Sequence, residues 1–286
     1  ELVASDMPDD TYLLDDAIAY FPTALQGKYA KQIASHRLRR EIVATRATNS
    51  LVDRVGDTFV SEFMEKTGQS AARITRAYVI TREVLGLRDL WRQIEALDNK
   101  VPSATQMAML VDINHLVEWV TLWFLRNGSA KLEIGEHIEA YRTSIQTLAD
   151  GVTKALPSHY VTDAHKRAKP YVDNGVPEAL ALRIVGLVNL YSGCDIARQA
   201  TRRNADVLVS ARVYFAVGTR FRLGRLRAAA EFMDSHSHWQ KLAVAALIEE
   251  IYAHQLAISN KVLDFAGVKA DAKQAVEDWI VANADA

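Results

Sequence analysis

A small group of acidic and imidazole side chains comes closest to a metal site in this sequence: Asp234, His236 and His238, just ahead of Trp239. His236 and His238 lie two residues apart at an expected helix start, where they could ligate a metal ion. Further ligands are missing, because the sequence has no His-Glu-x-x-His motif and no Glu-x-x-His pair. We therefore expect a solvated or helix-capping role for both histidines, and no metal site.

Cys194 is the only cysteine and a candidate nucleophile. It follows Ser192-Gly193 at an expected helix start, where the amide dipoles would favour a thiolate. No histidine stands near it in sequence to activate it, and buried cysteines are commonly inert. We expect a buried, unreactive thiol, with a reactive thiolate as the alternative. A single cysteine also excludes an internal disulfide and a cysteine-based zinc site, which favours a reducing compartment.

The string His36-Arg37-Leu38-Arg39-Arg40 could bind an anion. It falls within a long helix that we expect to begin at Pro22 and to run towards Asn49 or Val55. At helical spacing, His36 and Arg40 lie in the same stripe as apolar residues. We therefore expect both to be buried or half-buried and hydrogen-bonded to neighbouring helices, and not to bind an anion. The apolar residues of this stripe are Leu25, Tyr29, Ile33, Val43 and Ala47.

A second basic string places four arginines within eight residues: Arg220, Arg222, Arg225 and Arg227. Such a string could form a phosphate or nucleic-acid patch. On a helix, however, the arginines border an apolar face on both sides, so we expect solvated flanks whose aliphatic stems pack against the protein. The face between them contains Leu223, Leu226 and Ala230.

Cofactor-binding turns are also missing from the sequence. A dinucleotide or phosphate turn needs closely spaced glycines, yet the two nearest glycines are Gly218 and Gly224. His254 lies at core spacing with Leu247, Ile251 and Ile258, which indicates a satisfied core histidine. The sequence therefore predicts no catalytic, cofactor-binding or metal-binding residue in this chain.

The elements that position these residues are all expected to be α-helices. Only 13 glycines and 6 prolines interrupt the sequence, and the alternation typical of strands is nearly absent. We predict an all-α bundle of roughly ten to twelve helices. The turn around Gly175-Val176-Pro177 could divide it into two subdomains. The expected organisation is a linker at 1–20 and helical subdomains at 21–174 and 175–286.

Composition narrows the function classes. The 286 residues are 49% hydrophobic and 24% charged, which is typical of a globular protein with a sizeable core. A net charge of -1 argues against binding to nucleic acid or to an anionic membrane surface. The most apolar stretches, near Trp119–Leu125 and Leu242–Ile248, fall short of the run of about 20 residues that spans a bilayer, so no transmembrane segment is expected. The acidic N-terminus lacks a signal pattern, which favours a cytoplasmic location and the middle of a longer polypeptide.

Several strings resemble the C-terminal helical region of the large bacterial NAD-specific glutamate dehydrogenases. The longest runs from Ile33 to Thr45, and the resemblance covers nearly the whole chain, more thinly at 129–174 and after Phe265. Departures are local: Asp53 stands where we expect an amide side chain, and Val55 where a small residue is usual. The other strings are Tyr20–Gln26, Arg76–Tyr78, Arg82–Val84, Leu90–Trp91, Leu97–Pro102, Trp123–Asn127, Gly175–Pro177, Tyr214–Phe215 and His238–Ala243.

The resemblance implies that an upstream dehydrogenase domain oxidises L-glutamate with NAD, while this segment carries no active site and binds no cofactor. Its expected partners are that upstream domain and further copies of the same chain. We therefore expect a structural, assembly or regulatory role, in which some of the five tryptophans could anchor an interface, although core packing is the commoner fate of a tryptophan. The alternative is a free-standing helical module that binds a partner helix or peptide.

Overall fold

The computed structural model describes residues 13–19, 21–220, 238–267 and 272–283. Regular structure in these ranges is entirely helical, which confirms the all-α prediction. Between α10 and α11 lies a 3-10 turn, Leu187–Leu190. The helices are α1 Leu14–Ala19, α2 Thr23–Ala34, α3 Arg39–Val55, α4 Phe59–Thr67, α5 Ala71–Val84, α6 Leu87–Glu95, α7 Ser103–Asn127, α8 Ile134–Ala155, α9 Ser158–Asp173, α10 Glu178–Gly186, α11 Gly193–Arg203, α12 Val207–Arg220, α13 His238–Ala266 and α14 Ala272–Ala282.

Internal contacts divide the chain into two compact units. Unit 1 comprises residues 1–99 and 106–143, and unit 2 comprises residues 100–105 and 144–286. This division falls elsewhere than the subdomain boundary expected at 174–175, and separate subdomains at that position stay a prediction. Within the stretch expected to be a linker, α1 packs against α2 and α3, because Leu13 and Ala17 are fully buried.

Helix α5 forms the centre of unit 1. Serine 70 caps its N-terminus by accepting a hydrogen bond from the backbone N–H of Arg73. Its middle is buried on nearly every side, as expected for a helix that contacts α3, α4 and α6. The hydroxyl of Tyr78 lies 3.1 Å from both the hydroxyl and the carbonyl oxygen of Ser50 on α3, so a polar contact accompanies the apolar packing.

Helix α12 has the corresponding place in unit 2, where it contacts α11, α13 and α14. Val213 and Val217 of α12 pack with Val262 and Leu263 of α13 in one apolar cluster. Beside them, the buried side-chain amide of Gln255 donates to the carbonyl oxygen of Tyr214 at 2.8 Å. This contact gives the buried polar group of α13 a partner on the backbone of α12.

The long first helix expected from Pro22 is broken, and this prediction was wrong. Helix α2 ends at Ala34 and α3 begins at Arg39. In the break, the Ser35 hydroxyl donates to the carbonyl of Lys31 at 2.9 Å, and the Arg39 guanidinium donates to the carbonyl of Ala34 at 2.7 Å. Because these side chains satisfy the last carbonyls of α2, the chain leaves the helix there at little cost.

The break also places His36 and Arg40 in exposed positions, and not in the core where we expected them. The ring Nδ1 of His36 accepts from the backbone N–H of Leu38 at 3.2 Å within the turn. The apolar stripe continues in sequence across residues 35–38, but its two halves belong to different helices. Helical projection through this segment therefore assigned both side chains to the wrong environment.

His254 is exposed as well, which corrects the expectation of a core histidine. The buried stripe of α13 contains Ile251, Gln255, Ser259 and Val262, whereas Leu247 on the predicted stripe is 45% exposed. The buried face of α13 therefore includes positions 255 and 259, each one residue after positions 254 and 258 of the predicted face. The reason is that this helix buries Gln255 and Ser259, two polar residues that a search for apolar spacing passes over.

Among the described helices, α7 is by itself long and apolar enough to cross a membrane. A second candidate arises only if Glu178–Leu190 and Gly193–Arg203, which meet at 74°, are counted as one span. This is weak evidence, since buried core helices pass the same test. Helix α7 does bury one face within the protein, with Met109, Ile113 and Leu116 among its buried residues.

Two glycines make a matched pair for testing the packing of unit 1. A Cβ atom on Gly128 would meet the side chain of Leu132 and lie 2.6 Å from the carbonyl oxygen of Phe124, whereas a Cβ on Gly27 of α2 would meet nothing within 4 Å. Replacing Gly128 by Ala should lower the free energy of unfolding by about 1–3 kcal/mol through overpacking. Replacing Gly27 by Ala should raise it by about 0.5–1 kcal/mol, because alanine favours the helix.

Urea denaturation of this chain, followed by circular dichroism at 222 nm, a wavelength that reports helix, measures both changes. Equal stability of the Gly128→Ala variant and the parent chain would show that the contact around Gly128 relaxes freely.

Candidate functional site

A polar cleft of about 470 Å³ lies within unit 1, and most of its lining residues are charged. Five arginines and three carboxylates line it, together with an indole ring and two uncharged polar side chains. We call it the arginine cleft. Its lining residues are Asp15, Ile18, Ala19, Gln26, Arg46, Ser50, Asp53, Arg54, Arg82, Arg88, Trp91, Arg92 and Glu95.

Helical spacing explains why these side chains face the same space. Residues on one helix that are three, four, seven or eight apart share a face. Helix α3 presents four of the lining residues at such spacings, and α6 presents another four. The α3 residues are Arg46, Ser50, Asp53 and Arg54, and the α6 residues are Arg88, Trp91, Arg92 and Glu95.

Arg82 of α5 contributes a buried positive charge to the arginine cleft. Arg82 is only 1% exposed, so its guanidinium must be paired with an anion. The carboxylate of Glu83 provides that anion: its Oε1 accepts from Arg82 Nε at 2.9 Å. The same oxygen accepts from Arg88 Nε at 2.8 Å and from Arg88 Nη2 at 2.7 Å. One carboxylate therefore serves two guanidinium groups.

The charge of Arg54 is compensated by a different carboxylate, that of Glu95. Its Nη2 is ion-paired with Glu95 Oε1, and its guanidinium carbon lies 5.0 Å from the centroid of the Trp91 ring. Stacking a guanidinium on an indole face is favourable because of the ring quadrupole. The Trp91 ring is thus held between the α6 backbone and a cation from α3.

Arg46 differs from the other cleft arginines. It is half-buried, and it makes no hydrogen bond or ion pair with any residue in the described part of the chain. Its Nε is fully buried, as is the indole Nε1 of Trp91, and neither N–H has an acceptor among the described residues. The described part of the cleft therefore has hydrogen-bond donors without acceptors, which suits the binding of an anion.

A second cleft, of about 480 Å³, lies within unit 2 and has a different character. Its floor is apolar, with Leu156 and Val276 both buried, and its charged residues are exposed at the edge. Those edge residues are Lys154, Arg212, Lys273 and Glu277.

The structure places Cys194 at the beginning of α11, as the sequence indicated, but buries it. Burial raises the pKa of the Cys194 thiol, and the charge of Asp195 beside it acts in the same direction. The thiol is therefore the protonated, unreactive form, and the alternative of a thiolate at a helix N-terminus is wrong. Withdrawal from water outweighs the helix dipole because the whole side chain lies in the core.

Two other groups from the sequence lie outside the described residues. The first is Asp234 and His236, together with the side chain of His238. The second is the string of arginines at 220–227, apart from the backbone of Arg220. Among the residues that the structure describes, no three His, Cys, Asp or Glu side chains are grouped so as to hold a metal ion.

Sequence reasoning missed the arginine cleft, whose arginines are scattered over three helices and form no motif. It also missed His137, a buried histidine with both ring nitrogens bonded. His137 Nε2 accepts from the backbone N–H of Ser129 at 3.2 Å, so Nδ1 carries the proton and donates to the carbonyl of Glu133 at 2.7 Å. The spacing Glu133 to His137 is one helical turn, which is the only signal for this contact in the sequence.

Comparison with known proteins assigns the family. The family described as "Glutamate dehydrogenase, C-terminal" matches residues 1–286, the whole of this chain. The chain belongs to the glutamate dehydrogenase C-terminal family. The earlier resemblance is thereby confirmed.

Three curated relatives of this chain are each named NAD-specific glutamate dehydrogenase. The proteins of Halomonas elongata and Pseudomonas aeruginosa are each 34% identical to it, over 280 and 286 residues. The protein of Mycobacterium tuberculosis is 29% identical over 279 residues. Each match covers 98% of this chain but only 17% of the relative. The chain thus spans about a sixth of the length of these relatives.

Three of the strings that carry the family resemblance contribute to the arginine cleft. Gln26, Arg82 and Trp91 line it, and Glu83 is ion-paired with Arg82 and Arg88. Asp53, which departs from the expected residue type, also lines it. Arg82 of α5 and Trp91 of α6 therefore belong both to family-like strings and to the lining of this cleft.

The burial of Cys194 leads to a test of its reactivity. In the folded chain, Cys194 should react with a thiol reagent such as dithiobis-nitrobenzoate far more slowly than in urea, because the raised pKa and burial in the core leave no thiolate for the reagent. Stability should also fall as the pH rises above 9.0, the ordinary pKa of a cysteine thiol, since the unfolded thiol ionises there and the folded thiol does not.

The absorbance of the released reagent measures the rate, and a Cys194→Ala variant is the control for both effects. Equal reaction rates with and without urea would contradict a buried thiol.

Proposed function

We propose that this chain is a non-catalytic segment of an NAD-dependent glutamate dehydrogenase, in which it has a structural and assembly role. The parent enzyme would convert L-glutamate, NAD and water to 2-oxoglutarate, ammonia and NADH. NAD would bind to the parent's upstream dehydrogenase domain, and this segment would bind no cofactor. The observation that carries the proposal is the match of the whole chain to about a sixth of three NAD-specific glutamate dehydrogenases.

The composition of the arginine cleft supports the non-catalytic part of the proposal. Oxidation of glutamate requires a nicotinamide-binding turn and a group that takes up a proton. The described lining of the arginine cleft contains no histidine, lysine or cysteine. Its carboxylate Glu95 is engaged by Arg54, and the other two, Asp15 and Asp53, are exposed. This arrangement can hold an anion but offers no general base in a shielded position.

An exposed apolar patch on α7 supports the assembly part. Met107 and Val111 lie one helical turn apart and are 61% and 45% exposed. Two adjacent apolar side chains in water are a feature of surfaces that bind other protein surfaces. We propose that this patch contacts either the upstream domain or a second copy of the chain, within a cytoplasmic homo-oligomer.

The tryptophans give little support to their predicted role as anchors. Trp91 is buried, while Trp119, Trp123 and Trp279 are partly buried within the helices that carry them. The side chain of Trp239 lies outside the described residues. Core packing accounts for the environment of Trp91, which leaves the α7 patch as the better candidate for an interface.

Deletion of residues 1–286 from the parent enzyme tests the assembly role. We expect the truncated enzyme to lose its native mass in solution and part of its heat stability, because the proposed contact surface is removed. The isolated chain should be helical by circular dichroism and should form no NADH from glutamate and NAD. Light scattering, thermal inactivation and absorbance at 340 nm are the measurements.

A substitution on the α7 patch refines this test. The double variant Met107→Lys with Val111→Glu should weaken assembly, whereas Val281→Lys, at an apolar residue that is 78% exposed on α14, should not. If the truncated enzyme keeps its native mass, heat stability and turnover, the assembly role is wrong.

A further inference from the structure

We propose that the arginine cleft of unit 1 is a binding site for a small oxyanion, carried as a carboxylate or a phosphate group, with Arg46 as its principal ligand. This site is independent of the assembly role and lies on residues to which the family match assigns no activity.

The first step is the charge of Arg46. A guanidinium stays charged at physiological pH, and a half-buried charge is costly unless an anion compensates it. Arg82 and Arg88 share the carboxylate of Glu83, Arg54 has Glu95, and Arg92 lies 3.7 Å from Asp89. Arg46 has no such partner within the described residues.

The unsatisfied polar groups of the arginine cleft are hydrogen-bond donors. Arg46 Nε and Trp91 Nε1 are both donors, both buried, and both without an acceptor in the described part of unit 1. A donor without an acceptor is satisfied by a group that carries lone pairs, and an oxyanion carries several. A carboxylate or phosphate provides such a group, whereas a cation or an apolar ligand does not.

The groups that would hold the anion are already fixed by contacts within unit 1. Trp91 is fixed by the Arg54 guanidinium stacked 5.0 Å from its ring centroid. Arg82 and Arg88 are fixed by their shared carboxylate. Because these groups are already ordered, an anion binding beside them loses little affinity to the ordering of side chains.

The fourth step is size. A volume of about 470 Å³ accommodates a small metabolite, and it falls within the range of about 300–1,000 Å³ that is usual for ligand pockets. The exposed carboxylates Asp15 and Asp53 lie on the same lining and would repel a ligand of high negative charge. The cleft therefore suits a mono- or dianion better than a polyphosphate.

The test uses the full polypeptide that contains this segment, with inorganic phosphate and succinate as probes. Phenylglyoxal, which modifies accessible arginines, is applied with and without each probe, and peptides are quantified by mass spectrometry. An anion in the cleft should slow the modification of Arg46 by about twofold when half of the sites are occupied. Modification of Arg202, an exposed arginine of α11 in unit 2, should be unchanged.

Calorimetry on matched variants provides the second measurement. Arg46→Met should weaken the binding of the protecting probe to this site by about tenfold, because a charge-assisted hydrogen bond is lost. Arg202→Met, which removes the same charge elsewhere, should bind as the parent does. Within the described residues Arg46 has no partner to lose, so the substitution should leave the helical circular dichroism unchanged.

Protection by phosphate alone assigns a phosphate-bearing ligand, and protection by succinate alone assigns an organic acid. If neither probe slows the modification of Arg46, or if Arg46→Met and Arg202→Met bind both probes equally, the proposal is overturned. The labelling reports on Arg46 whether or not the enzyme assembles through this segment, so the result is separate from that of the assembly test.

Discussion

Unit 1 depends on the ion pair between the buried guanidinium of Arg82 and the carboxylate of Glu83. A charge that is 1% exposed in the middle of the central helix is tolerable only with a fixed counter-ion, and Glu83 next to it fulfils that requirement. Glu83 also binds Arg88, at the beginning of the next helix, and Gly86 in the left-handed region makes the sharp turn between them. One ion-pair network thus sets how α6 leaves α5, and with it the position of Trp91.

Among the described residues, the arginines of the cleft fall into two groups: those with a carboxylate partner, and Arg46 without one. Arg54, Arg82 and Arg88 are ion-paired with carboxylates of the chain, so their contribution is the shape and rigidity of the cleft. Arg46 is left as the cation that an external group would neutralise. An anion bound beside Arg46 would be held by side chains that helix packing already keeps in fixed positions.

Unit 2 achieves its packing with neutral groups. Gln255 and Ser259 are buried in α13, and Gln255 is satisfied by the backbone of α12. Gly218 makes this possible, because a Cβ there would lie 2.5 Å from the Gln255 amide nitrogen. The close approach of α12 and α13 at this point is thus tied to a glycine on one helix and an amide on the other.

The amino-acid sequence by itself determined the helical class and the family, because glycines, prolines and apolar spacing are local signals and the family strings are contiguous. It also placed Cys194 at a helix start. Tertiary structure decided the rest: the break at Ser35, the exposure of His36, Arg40 and His254, and the arginine cleft. Periodicity shows that a helix has a buried face but not what covers it, and hydrogen bonds such as that of Ser35 to Lys31 compete with the pattern. Arg46, Arg82 and Arg88 meet only because three helices pack together, and no local signal records that meeting.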